Sequence, residues 1–116
     1  MRYMVLIATS DDAWDHLSED EQKEMYGRIE RWWGERYAAG TVKEGHELQP
    51  PTTATTVRVD GSGATSVTDG PYIEAKEWIG GYGIIDVADL DEAIKLASGW
   101  PSPATLEIRP IVERPA

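Results

Sequence analysis

Proton-transfer chemistry without a cofactor needs a carboxylate or an imidazole held beside the atom that reacts. Three residues have the right type: Asp69, which opens Asp69-Gly70-Pro71; Glu74, just beyond it; and His46, set between Glu44 and Glu47. Asp69 follows a β-like segment and begins a turn. Its carboxylate either bonds to its own backbone or stands at a pocket mouth as a proton acceptor. Imidazole changes charge near neutral pH, so His46 is either a general base or a plain loop residue. If residues 72–78 are extended, Tyr72, Glu74, Lys76 and Trp78 share one side and Ile73 and Glu77 the other. Such a row either lines a site for a polar aromatic compound or keeps an edge segment soluble through its charges. Tyr72 and Tyr82 add hydroxyl donors. Arg58 and Arg109 are the cations placed for an anionic ligand, with an ion pair to a neighbouring acid the alternative for Arg109.

Composition bounds what else is possible. The chain has 116 residues, 21 acidic against 11 basic, a net charge of −10 and no cysteine. That length predicts a single domain over 1–116. The missing cysteine removes thiolate nucleophiles, disulfides and sulfur-ligated metals. There are two histidines, and His16 among Asp11, Asp12 and Asp15 has no recognisable ligand spacing, so no metal and no cofactor is expected. The negative balance argues against nucleic acid and anionic membranes, which need a positive footprint. The apolar run Tyr3–Ala8 is too short for a membrane span or a signal peptide. The expectation is a soluble cytoplasmic protein. Gly80-Gly81-x-Gly83 lies inside an apolar strand-like run, where bulging explains it better than a dinucleotide fingerprint.

The elements that must position these residues follow from periodicity. Tyr3–Ala8 reads as a central strand buried on both faces. Ser18 and Glu21 form a capping box before a helix whose stripe is Met25, Tyr26, Ile29, Trp32, Trp33 and Tyr37, and Gly40 ends it. Trp32 and Trp33 are assigned to the core, and Trp14, Trp78 and Trp100 to pocket walls or interface anchors. Thr41–Gln49 is a strand, 55–68 a hairpin turning at Asp60-Gly61-Ser62-Gly63, and Ile79–Val87 another strand. A second helix starts at Asp89 and stops at Gly99, and Leu106–Val112 closes the chain as a strand. The order is βαββαβ with an inserted hairpin arm, an α+β ferredoxin-like sheet with both helices on one face. The uncovered face calls for a second copy, so a homodimer is expected.

Asp69-Gly70-Pro71-Tyr72-Ile73-Glu74-Ala75-Lys76-Glu77 with Ile79-Gly80-Gly81-Tyr82 resembles the signature of the DGPF-motif branch of the YciI-related (YCII) family. Gly45 with Leu48-Gln49-Pro50-Pro51, Asp89-Leu90-Asp91-Glu92-Ala93 and Glu107-Ile108-Arg109-Pro110 extend the resemblance over nearly the whole chain. It implies subunits pairing as a dimeric α/β barrel. Some relatives implied by it are small-molecule enzymes using a His–Asp pair, and others sit beside sigma-factor genes. The long helix here has no histidine, so that pair maps onto no position, and Tyr72 stands where the motif has Phe.

The expected function is binding of a small organic molecule in a pocket between sheet, hairpin and motif loop. Any chemistry there would be cofactor-independent isomerisation, elimination or hydrolysis. Asp69, Glu74 and His46 are the acid–base candidates, and Tyr72, Trp78, Tyr82 and Arg109 the ligand contacts. The alternative is a non-catalytic regulatory or accessory protein associated with sigma-factor control.

Overall fold

A computed structural model describes residues 1–72 and 75–115. The candidate Glu74, with Ile73 and Ala116, lies outside the described residues. The elements are β1 (Arg2–Thr9), α1 (Glu19–Ala38), β2 (Val42–Glu47), β3 (Thr55–Val59), β4 (Thr65–Asp69), β5 (Trp78–Asp86), α2 (Leu90–Ser98) and β6 (Thr105–Pro110). Four strands form an antiparallel sheet in the order β2-β5-β1-β6, while β3 and β4 pair only with each other. This is a mixed α+β architecture compatible with a ferredoxin-like fold.

Local chemistry explains the helices. At the start of α1, Glu21 N donates to Ser18 Oγ at 3.1 Å and Ser18 N donates to Glu21 Oε1 at 2.9 Å. These reciprocal bonds satisfy donors that a helix start leaves free. At its end Gly40 takes φ 77°, Gly40 N donates to Tyr37 O and Thr41 N donates to Arg36 O, each at 3.0 Å. That is a Schellman stop, and a left-handed residue with no Cβ is what it requires. For α2, Asp89 Oδ1 accepts from Glu92 N at 2.9 Å.

Packing is one-sided. Tyr3, Val5 and Ile7 of β1 are buried with Val42, Ile85 and Ala93. The alternate residues Met4, Leu6 and Ala8 are only half-buried, so β1 is not covered on both faces within one chain as its apolar run suggested. Two rungs cross this open face. One runs Arg109, Met4, Ile84, Glu44, and the next Glu107, Leu6, Tyr82, His46. Each has an apolar centre and polar ends.

Two further departures from the sequence reading bear on the site. Lys76 and Glu77 lie in a bend and β5 begins at Trp78, so strand alternation does not build the row through Tyr72, Lys76 and Trp78. The register of β1 on β5 slips between Ile7 and Ala8, leaving Gly80 as an extra residue. A Cβ at Gly80 would come within 2.9 Å of Thr9 Cγ2, so any side chain there would require Thr9 to shift. The β3–β4 arm makes the molecule extended. Its radius of gyration is 16.6 Å, against roughly 13 Å for a compact chain of this length.

Candidate functional site

Helix α1 meets the sheet through its tryptophans and stands away from it elsewhere. Trp32 is its one buried residue among the described ones, whereas Tyr26 and Tyr37 are 45% and 44% exposed. The seat for Trp33 is made by glycines: Gly45 of β2 pairs with Gly83 of β5, and the indole lies against both. With no side chains there, the large ring fits between helix and sheet. The gap beside it is a cavity of about 760 Å³.

Aromatic side chains form much of its wall. Trp14, in the segment after β1, stacks at a tilt on Tyr26 with ring centroids 4.9 Å apart. Trp33 has Tyr37 at 6.3 Å and Trp100 edge-on at 5.8 Å. Trp100 Nε1 donates to Ser102 Oγ at 2.8 Å and Tyr37 Oη to Gly45 O at 3.3 Å, which fixes both rings. Trp78 completes the wall from the start of β5.

The charges in this wall are negative. Asp11, Asp15, Glu30 and Glu47 line it, and among the described residues no lysine or arginine does. Glu30 is placed by helical spacing, four residues after Tyr26 and three before Trp33. None of the four acids takes part in an ion pair among the described residues. Burial, and then the Glu47 carboxylate, raise the pKa of Tyr26 above the ordinary phenol value. Thr9 Oγ1, in the same wall, is a buried oxygen with no hydrogen-bond partner among the described residues.

The residues singled out from the sequence fall in three places. Trp78 is in the cavity wall, and His46 borders the cavity from β2. The His46 ring lies 5.8 Å from that of Tyr82, its neighbour on the open-face rung. Tyr82 Oη donates to Glu44 Oε2 at 2.9 Å, and His46 Nε2 is 4.0 Å from the same oxygen. That hydrogen bond, more than burial, raises the pKa of Tyr82. Arg109 is exposed on β6 opposite Met4, with no ion pair among the described residues.

Asp69 and Tyr72 belong to the base of the arm. Asp69 ends β4 opposite Thr55, and its carboxylate makes no hydrogen bond among the described residues. Tyr72 is exposed beneath the Arg58 guanidinium, 4.8 Å from the ring centroid. A second hollow of about 580 Å³ lies between Leu48–Ala54 and the segment before β5, with no described residue of the 55–68 hairpin in its lining. Neither Asp69 nor Tyr72 lines it. Among the described residues there is no cluster of three or more metal-ligating side chains, and no helix is long and apolar enough to cross a membrane.

Tyr26, Trp33, Tyr37, Glu30 and Glu47 were not anticipated as site residues. The stripe on α1 has the spacing of a packed face, which assigns Trp32 and Trp33 to the core. A signal was present in Glu30, which interrupts the stripe, and in the glycines of the facing strands.

The sequence profile of the YCII-related domain matches residues 1–114. An uncharacterised protein of Rhizobium meliloti (strain 1021) is 32% identical over 115 residues, spanning 96% of this chain and 92% of that protein.

Proposed function

This chain belongs to the YCII-related family, and from that premise we propose that it binds a small organic molecule in the cavity between α1 and the sheet. The carrying observation is the cavity itself, about 760 Å³ with an aromatic wall and a few polar groups. Small-molecule sites are typically of this kind, roughly 300–1,000 Å³ and apolar with sparse polar groups. Acid–base chemistry on a bound molecule would fall to Glu30 and Glu47, which are in the wall, instead of Asp69 at the arm. No resident cofactor is part of this reading.

The working unit we propose is a homodimer. The open face has apolar rung centres with Arg109 at one rim and Glu44 at the other. A two-fold axis along the strands lays β6 over β2 of the second copy, bringing these opposite charges together. The arm supports the same unit. A two-stranded ribbon is marginal alone, and here Val57, Val59 and Val67 are 58%, 70% and 66% exposed. The same valine ribbon suits the alternative, an accessory protein that docks another chain. A stoichiometric foreign partner in native purifications, displacing the homodimer, would favour that reading.

Fragment soaking of crystals tests the binding function. Fragments seated against Trp14 and Trp78 support it. A cavity filled by side chains of the second copy, or one left empty while fragments bind elsewhere, overturns it.

A further inference from the structure

We propose that the ligand class of this cavity is a small organic cation, an alkyl- or arylammonium compound held by aromatic faces and carboxylates. The inference rests on reading the cavity as the binding site. Its first ground is the aromatic wall of Trp14, Tyr26, Trp33, Tyr37, Trp78 and Trp100. Ring faces carry negative charge density, and several rings around one space are how proteins hold ammonium groups that carry no hydrogen-bond donors.

The second ground is charge. Asp11, Asp15, Glu30 and Glu47 share the wall with no lysine or arginine, and none is neutralised by an ion pair among the described residues. An anionic ligand would meet repulsion from the carboxylates of the segment after β1, of α1 and of β2. A neutral ligand without hydrogen-bond donors would displace water from these carboxylates and return nothing for it. A cation alone gains from both the rings and the acids. His46, a basic residue at the border, stands on the open-face rung with its ring beside Tyr82 and near Glu44, which is not among the wall residues. Arg36, which lies over the Trp32 ring at 4.7 Å, shows the same chemistry within the chain.

The test compares benzyltrimethylammonium with neopentylbenzene, its uncharged carbon isostere, and with benzenesulfonate. Binding to the full chain is read from tryptophan fluorescence and indole N–H shifts. The cation should bind at least about tenfold more tightly than the isostere at low salt, with benzenesulfonate weakest. Added salt should weaken the cation and leave the isostere unchanged. Glu30→Gln with Glu47→Gln should weaken the cation about fivefold and the isostere not at all. An isostere or sulfonate that binds as tightly as the cation overturns the inference while leaving the cavity as a binding site. If no compound shifts the cavity tryptophans, both the site and the inference fall.

Discussion

Trp33 occupies the space that any side chain at Gly45 would need: a Cβ built there collides with the indole. Across the rung, a Cβ at Gly83 would lie 2.9 Å from Trp33 Cη2. Gly45→Ala should therefore destabilise the fold by about 1–3 kcal/mol through overpacking. In a Trp33→Leu background the same change should cost much less, because the colliding ring is gone. Denaturant unfolding of the four proteins measures this. Equal costs in both backgrounds would remove Trp33 from the explanation.

The two perturbed tyrosines should respond differently to loss of their acids. For Tyr82 the leading cause is the hydrogen bond to Glu44. For Tyr26 it is burial, with Glu47 second. Spectrophotometric titration of Glu44→Gln should bring Tyr82 most of the way back to an ordinary phenol. Glu47→Gln should bring Tyr26 only part of the way. Complete recovery of Tyr26 would mean that it is not shielded by the cavity wall.

Removing the α1 cap should cost stability and change its pH dependence. Ser18→Ala leaves the first turn short of an acceptor, worth about 1 kcal/mol. Ser18 also holds the Glu21 carboxyl below its ordinary value, through backbone and side-chain hydrogen bonds. A depressed carboxyl stabilises the fold above its unfolded pKa, and that contribution is lost as pH falls through the folded value. The wild-type chain should lose this increment in the acid range, and Glu21→Gln, which removes the titrating carboxyl, should show a shallower acid limb in thermal melts. Parallel limbs would contradict the assignment.

Assembly should depend on the valine ribbon. Sedimentation equilibrium at micromolar concentration should give a dimer mass, and Val67→Lys should shift it towards monomer. The lysine replaces a 66% exposed valine that pairs with Val57, so the hairpin itself should survive. A monomer before mutation, or an unmoved dimer after it, would exclude the ribbon from the interface.

Elements with local determinants were legible in the sequence. Ser18, Glu21, Gly40 and Asp89 mark helix ends through bonds made within a few residues, and all sit where their types imply. The cavity was less legible because it depends on pairings remote in sequence. Nothing next to Trp33 reveals that Gly45 and Gly83 will be paired beneath it. The stretch around Tyr72 misled for a related reason: alternation predicts shared faces only where a neighbouring strand holds the segment extended. Lys76 and Glu77 have no such neighbour, and the chain bends there.

The strand order β2-β5-β1-β6 also sets a timetable for folding. Of the four strands in the sheet β1 is made before the others, yet both of its partners, β5 and β6, come from the far half of the chain. A nascent chain can close the β3–β4 ribbon and wind α1 from local contacts, but its most apolar strand has nowhere to pair until those later segments emerge. High contact order of this kind slows folding and prolongs exposure of unpaired apolar chain. Of the strands in this sheet β1 thus waits longest for its partners, and Tyr3–Ala8 is the apolar segment left open in the meantime.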